Sequence, residues 1–99
     1  MQLELDLSKH CIETELKRQH NRAVASYFRV PEKDRRQIEH TIDVSQQALS
    51  ALDFGHLRAT HPQLAGGMQA DVTVREYNRQ VDIIIDGTVV ASFEMKRPD

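Results

Sequence analysis

The stretch from Ala70 to Arg97 constrains the fold of this chain most, because it predicts a three-stranded antiparallel meander. Asn78-Arg79 separates two runs rich in β-branched residues. Asparagine tolerates the positive φ that a two-residue hairpin turn requires. Such a turn sets three cross-strand pairs, which are Tyr77 with Gln80, Arg75 with Asp82, and Val74 with Ile83.

A second turn must contain Asp86-Gly87, and two arrangements of it are compatible with the sequence. A two-residue turn would move Val89, Phe93 and Met95 to the face opposite the other apolar side chains, which leaves both faces mixed. A three-residue loop at residues 85–87, with the glycine left-handed in a bulge, keeps the faces separate. Because a one-residue slip exchanges the two faces of a strand, we predict the three-residue loop.

The predicted meander has one apolar and one polar face. The apolar face carries Val72, Val74, Val81, Ile83, Val89, Ala91, Phe93 and Met95. The polar face carries Thr73, Arg75, Tyr77, Gln80, Asp82, Ser92, Glu94 and Lys96, together with Ile84 and Val90. A bare three-stranded sheet is marginally stable, so the apolar face must be covered by other elements.

The preceding part of the chain supplies that cover. Residues 1–7 alternate leucines with polar residues and predict a fourth strand on the same sheet. Ser8 is a suitable N-cap for a first helix over residues 9–28. Val30-Pro31 ends that helix, and a second helix follows over residues 31–53, with Gly55 as its C-terminal cap.

Residues 54–69 then form an irregular link to the sheet. The predicted fold is therefore α+β, a two-layer β-α-α-β-β-β arrangement with two helices on one face of an antiparallel sheet of three or four strands. Ninety-nine residues suit one domain spanning residues 1–99.

Composition limits the classes of function. The net charge is −2, which argues against a dedicated nucleic-acid binder because such proteins carry a basic surplus. The single cysteine, Cys11, excludes an internal disulfide and fits a reducing compartment, so we expect a cytoplasmic protein. No apolar run is long enough to cross a membrane, and neither the histidine nor the cysteine spacing matches a zinc motif. We expect no metal or other cofactor.

One constellation resembles a known catalytic motif. Asp82 followed by Glu94-Met95-Lys96 resembles the core motif of the PD-(D/E)XK nucleases. The resemblance implies that the two carboxylates hold a divalent metal such as Mg²⁺, while the lysine helps to position or activate water. In the predicted register Asp82 faces Val90, which places Glu94 roughly 13 Å further along the strand. Two carboxylates at that separation cannot share one ion.

A second resemblance covers nearly the whole chain. The element order, the run at residues 61–66 (HPQLAG) and the basic pair Lys96-Arg97 resemble the RelE/ParE toxin superfamily. The resemblance implies a small protein that pairs with an antitoxin and either cleaves ribosome-bound mRNA or poisons gyrase. Its ribonucleases need cations on the sheet and a group that activates the 2′-hydroxyl. No histidine lies on the predicted strands, which favours a binding function over catalysis.

We therefore expect a non-catalytic regulator or toxin-like module that docks onto another macromolecule through the polar sheet face. The expected binding surface comprises Arg75, Tyr77, Arg79, Asp82, Glu94, Lys96 and Arg97. A protein is the favoured partner, and the net charge makes nucleic acid a less favoured one. Homodimerisation through a strand edge, or through Ile84 and Val90, is an alternative arrangement. The alternative function is a nuclease of either family, with Asp82, Glu94 and Lys96 as the catalytic residues of the metal-dependent type.

Overall fold

A computed structural model of the chain describes residues 2–8, 10–65 and 70–97. These residues form β1 (Gln2–Asp6), α1 (Ile12–Tyr27), α2 (Arg35–Ala51), α3 (Phe54–Thr60), β2 (Val72–Tyr77), β3 (Gln80–Ile85) and β4 (Thr88–Glu94), with short 3₁₀ turns at Glu32–Asp34 and Pro62–Ala65. The predicted start of the first helix at Lys9, and Gly66 of the HPQLAG run, lie outside the described residues. No helix in the described ranges is long and apolar enough to span a membrane.

The four strands form one antiparallel sheet in the order β1-β2-β3-β4. Alternation along β1 buries Leu3 and Leu5 and exposes the polar residues between them, so the predicted fourth strand is confirmed. The helical layer packs on the face that carries these leucines, because the buried residues of all three helices share one core cluster with them. The α+β class and the two-layer arrangement are therefore confirmed.

The first hairpin turn forms as the sequence predicts. Asn78 and Arg79 have φ values of 54° and 68°, and they connect β2 to β3 as a two-residue turn. The resulting register confirms all three predicted pairs, which are Tyr77 with Gln80, Arg75 with Asp82, and Val74 with Ile83.

The prediction of a three-residue second loop is wrong. Ile85 pairs with Thr88, which makes Asp86-Gly87 a two-residue turn in which both residues have positive φ. The register then shifts between Ile83 and Ile84, where β4 contains an extra residue. This bulge returns the rest of β4 to the face that the sequence predicts, because one additional residue reverses the alternation.

The bulge exchanges the positions of two valines relative to the prediction. Val89 pairs with Ile84, lies on the outer face and is 48 % exposed. Val90 is half-buried against the core instead of lying on the polar face. Ala91 and Phe93 lie on the apolar face, as expected, but they pair with Ile83 and Val81, which is two residues from the predicted register.

The helix boundaries correct three further expectations. Cys11, rather than Ser8, occupies the N-cap position of α1, and the Ser8 hydroxyl instead accepts a hydrogen bond from the Val72 amide at 3.0 Å. Residues expected to form an irregular link contain α3, whose first turn is capped by the Asp53 carboxylate accepting from the His56 amide. Gly55 lies inside α3, so it does not cap α2. The helical layer thus contains three α-helices rather than two among the described residues.

The core is built from leucine, isoleucine and valine, as the scarcity of aromatic residues requires. Its fully buried members include Leu7, Ile12, Leu16, Val44, Leu64, Val74, Val81 and Ile83. Each such side chain stabilises the fold by about 1.5–3 kcal/mol relative to an exposed position. One residue of the buried sheet face is charged: Glu76 is only 1 % exposed.

Candidate functional site

The outer sheet face is the face of the sheet that points away from the helices. Its residues are Gln2, Glu4, Asp6, Thr73, Arg75, Tyr77, Gln80, Asp82, Ile84, Val89, Ser92 and Glu94, as the alternation of burial and the strand register establish. One row across the four strands joins Glu4, Arg75, Asp82 and Ser92. The single arginine of that row is therefore flanked by a carboxylate on each side.

A shallow groove of about 370 Å³ lies at one end of this face. It is lined by Gln2, Arg75, Tyr77, Gln80 and Asp82. Tyr77 is 62 % exposed, so most of this residue is available to a ligand. Arginine and tyrosine side chains of this kind dominate the binding energy of many protein interfaces. Arg75, Tyr77 and Asp82 of the expected binding surface thus lie together.

The register changes the geometry of the nuclease-like residues. Asp82 lies opposite Ser92, not opposite Val90, so Glu94 is two residues from the position facing Asp82. Diagonal neighbours of this kind are about 7 Å apart, instead of the expected 13 Å. Gln80 lies directly opposite Glu94, and its side-chain amide donates to Asp82 Oδ1 at 3.5 Å. The predicted separation of roughly 13 Å between Asp82 and Glu94, which argued against a shared ion, is therefore wrong.

Asp82 and Glu94 together provide few ligands for a metal ion. In the described part of the chain, no cluster of three or more His, Cys, Asp or Glu side chains could hold a metal ion. Mg²⁺ is nevertheless bound at many phosphoryl-transfer sites by one or two carboxylates, with water and substrate oxygens completing its coordination. Asp82 and Glu94 could serve as such a pair.

The basic residues of the expected surface do not all lie on the outer sheet face. Arg79 turns its guanidinium to the end of the sheet, where it donates to the carbonyl oxygens of Lys96 at 2.7 Å and Met95 at 3.4 Å. Lys96 and Arg97 are exposed and follow the end of β4. Among the described residues, Arg75 is accordingly the one arginine on the outer face itself.

The backbone of Lys96 is bound to the helical layer. The side-chain amide of Gln47 on α2 donates to the Lys96 carbonyl at 3.0 Å and accepts from the Lys96 amide at 2.7 Å. The chain that follows β4 is therefore attached to α2 through both backbone polar groups of one residue.

Sequence reasoning missed a buried carboxylate and its partner. Glu76 on β2 accepts a hydrogen bond from His40 on α2 through one oxygen, and from the Arg79 amide at 3.1 Å through the other. The signal was present, since Glu76 continues the buried alternation of Val72 and Val74. Its partner could not be identified from the pattern, because His40 is distant in sequence. The pair joins the two layers beneath the first hairpin turn.

Hydrogen bonds at the start of α1 lower the pKa of two side chains, Cys11 and Glu13. A hydrogen bond with the Thr14 hydroxyl, at 3.0 Å from the sulfur, is the main reason that the pKa of the Cys11 thiol is lowered. Ion pairs with Lys17 and Arg58 hold the pKa of Glu13 below its ordinary value. Arg58 belongs to α3, so the second ion pair connects α3 to α1.

A model of an uncharacterised protein family matches residues 1–90. The chain belongs to this family. The match includes β1, the helical layer and most of the sheet, while Glu94 and Lys96 lie beyond it. No curated protein and no solved structure is detectably similar to the chain.

Proposed function

We propose that this protein is a small non-catalytic regulator or toxin-like module that docks onto another protein through its outer sheet face. The observation that supports this proposal is that the helices all pack on one side of the sheet, while the opposite side carries exposed Tyr77 and the outward-facing pair Ile84 and Val89. An uncovered sheet face with apolar and aromatic groups among polar ones has the composition of an interface.

The charges of the outer sheet face favour a protein over a nucleic acid. Glu4, Asp82 and Glu94 contribute negative charge, and Arg75 is the one cation among them in the described sheet. A surface that binds the phosphate backbone requires an excess of Lys and Arg. A protein partner needs only complementary charges and pockets for a few anchoring side chains.

Alanine substitution of Tyr77, with substitution of Phe28 as the matched control, tests this proposal. Tyr77 is exposed on the outer sheet face, whereas Phe28 is 79 % exposed on the helical layer. We expect a partner that co-purifies with the wild-type protein from its native cells to be lost with Tyr77→Ala and retained with Phe28→Ala. Retention of every partner by Tyr77→Ala, or loss with Phe28→Ala alone, would contradict docking through the sheet face.

A metal-dependent nuclease is the second candidate function, because the bulge in β4 brings Glu94 to a diagonal position relative to Asp82. Under this candidate the two carboxylates would hold Mg²⁺, and Lys96 lies two residues beyond Glu94 at the same end of the sheet. The bound ion would supply Lewis-acid polarisation of a phosphate and an activated water molecule.

Incubation of the purified protein with RNA and DNA, with and without Mg²⁺, distinguishes the two candidates. The docking proposal expects no cleavage. Mg²⁺-dependent cleavage that is lost with Glu94→Gln and with Lys96→Ala, but retained with Glu4→Gln, would establish the nuclease and overturn the non-catalytic proposal. Cleavage of RNA without a metal would instead indicate a ribonuclease of the other type.

A further inference from the structure

We propose that the outer edge of β4 accepts an extended segment of a partner protein as a fifth strand, and that this segment alternates basic and aliphatic side chains. The inference rests on the proposed docking function and names the part of the sheet and the kind of segment involved. It follows from the direction of the backbone groups in β4, from a cleft beside that strand, and from the charge of Glu94.

The backbone directions are fixed at the end of the strand. The Met95 amide donates to the Arg79 carbonyl at 2.8 Å, so the polar groups of Met95 point towards β3. The Lys96 amide points the other way and donates to the side-chain oxygen of Gln47, while the Lys96 carbonyl accepts from the Gln47 side-chain amide and from the Arg79 guanidinium. Gln47 therefore occupies the position that a residue of an additional strand would take.

The same alternation determines the direction of the backbone N–H and C=O groups in the preceding residues of β4. Because successive residues of an antiparallel strand direct their N–H and C=O groups to opposite sides, Glu94 and Ser92 present theirs to the same edge as Lys96. No described backbone or side-chain group binds them there, and β4 has β3 as its one neighbouring strand in the described sheet. Unpaired strand edges are sites where another chain adds by main-chain hydrogen bonding.

A cleft of about 110 Å³ lies beside this edge, between β4 and the C-terminal half of α2. Its lining comprises Gln47, Ser50, Ala51, Phe93, Glu94 and Lys96. A strand paired with Glu94 and Ser92 would place the residue opposite Phe93 on the helix side of the sheet, because side chains alternate between the faces. The small cleft, with Ala51 and Phe93 on its walls, suits a short aliphatic side chain.

Charge specifies the flanking residues of the incoming segment. The side chain opposite Glu94 lies on the outer sheet face, next to a carboxylate that has no ion-pair partner among the described residues. The next outward position lies opposite Ser92, whose other neighbour is Asp82. Opposite charges across neighbouring strands are stabilising, and like charges are destabilising. Lysine or arginine is therefore preferred at both outward positions.

The same charges disfavour a second copy of this chain as the occupant. A second β4 centred on Glu94 would bring two Glu94 carboxylates together, and a second β1 would present Glu4 to Glu94. The register that would pair Glu94 with Lys96 of a second copy is blocked, because Gln47 binds both backbone polar groups of Lys96. In the other registers the charges of the two edges do not complement each other. The fitting occupant is a different protein with a basic–aliphatic–basic segment.

The test uses the full-length protein labelled for NMR and the synthetic peptide Lys-Val-Lys-Val-Lys. We expect saturable binding, with shifted and exchange-protected amide signals at Ser92 and Glu94. Methylation of the lysine backbone nitrogens should abolish binding, because those amides face β4. Methylation of the valine nitrogens should be tolerated, because those amides point away. The peptide Glu-Val-Glu-Val-Glu should not bind.

Two variants with a matched control complete the test. Glu94→Lys should weaken binding of the lysine peptide by at least about tenfold, since it replaces an attractive pair with a repulsive one. Ala51→Leu should weaken it by filling the cleft. Glu32→Lys makes the same charge change at an exposed position before the start of α2, at the other end of that helix from the cleft, and should leave the affinity unchanged.

The outcomes separate this inference from the proposed function. No peptide binding, equal binding to wild type and Glu94→Lys, or binding without protection of the Ser92 and Glu94 amides would overturn strand addition. If strand addition were overturned but Tyr77→Ala still lost the natural partner, docking through the outer sheet face would stand. If the peptide bound at β4 but Tyr77→Ala still retained the natural partner, docking through the outer sheet face would be overturned.

Discussion

His40 on α2 and Glu76 on β2 form a hydrogen-bonded imidazole–carboxylate pair that joins the helical layer to the sheet. Both oxygens of Glu76 are satisfied, because the Arg79 amide binds the second one. A carboxylate buried in this way is tolerated only while its partners remain in place.

Removal of the carboxylate should therefore destabilise the whole protein. We expect Glu76→Ala to lower the free energy of unfolding by about 3 kcal/mol, because it leaves His40 and the Arg79 amide without their acceptor. Glu4→Ala, on the exposed face of the same sheet, should change it by less than about 0.5 kcal/mol. Urea denaturation monitored by circular dichroism measures both values. Similar stability for the two variants would show that the buried pair contributes little.

Gly87 and Gly55 should respond in opposite directions to alanine. Gly87 has a φ of 85° and no atom within 4 Å of an added Cβ, so backbone strain alone decides the effect. We expect Gly87→Ala to destabilise the fold by about 1 kcal/mol. Gly55 lies in α3, where an added Cβ meets only Asp53 Oδ1 at an ordinary 3.6 Å.

Gly55→Ala should therefore stabilise the protein by up to about 1 kcal/mol through helix propensity. Thermal unfolding of the two variants beside the wild type provides the comparison. A loss of stability in both would mean that α3 cannot accommodate the methyl group and that the two glycines do not differ as their conformations indicate.

Gln47 should hold the backbone of Lys96 against local opening. Gln47→Ala removes the one acceptor of the Lys96 amide and leaves Arg79 as the donor to the Lys96 carbonyl, so we expect faster hydrogen exchange of the Lys96 amide and a loss of about 1 kcal/mol in stability. Gln46→Ala, the neighbouring exposed position on α2, is the matched control. Unchanged exchange at Lys96 in Gln47→Ala would indicate that other contacts maintain its position.

Glu13 should make stability depend on pH in the acid range. Its hydrogen-bonded pair with Lys17, followed by that with Arg58, lowers its pKa below the ordinary 4.5. A carboxyl whose pKa is lower in the folded state stabilises the fold above the unfolded value, and that contribution is lost as the pH falls through the folded value. The window therefore lies below pH 4.5.

An NMR titration of the Glu13 side-chain carboxyl carbon measures this effect directly. We expect a midpoint below 4.5 in the wild type and an upward shift in Lys17→Met, because the largest cause of the lowering is removed. An unchanged midpoint in that variant would show that the ion pair does not persist in solution.

Alternation and turn chemistry were sufficient to predict most of the sheet. Asn78-Arg79 identified the first turn because few residues accept positive φ, and the register of β2 and β3 followed from it. At Asp86-Gly87 turn chemistry is compatible with a two-residue turn and with a three-residue loop, and separation of the two faces favours the three-residue loop, which is wrong. The chain satisfies both requirements with a bulge at Val90, which local turn rules alone do not reveal.

The candidate site was only partly predictable for a related reason. Arg75, Tyr77 and Asp82 share the outer face because alternation fixes them there. The direction of the Arg79 guanidinium towards the end of the sheet and the burial of Glu76 depend on contacts with residues that are distant along the chain. Sequence periodicity reports the face on which a side chain lies, but it carries no information on which distant group binds it.

The pairing of β1 with β2 has a consequence for the order of folding. The two hairpins close loops of two residues, whereas Gln2 meets Tyr77 only after a loop that includes all three helices has closed. Contacts that form late are largely absent from the folding transition state. Substitutions that weaken such contacts therefore change mainly the unfolding rate. Substitutions in β1 should therefore accelerate unfolding in stopped-flow experiments while leaving the refolding rate nearly constant, which makes this short strand a determinant of the lifetime of the native state.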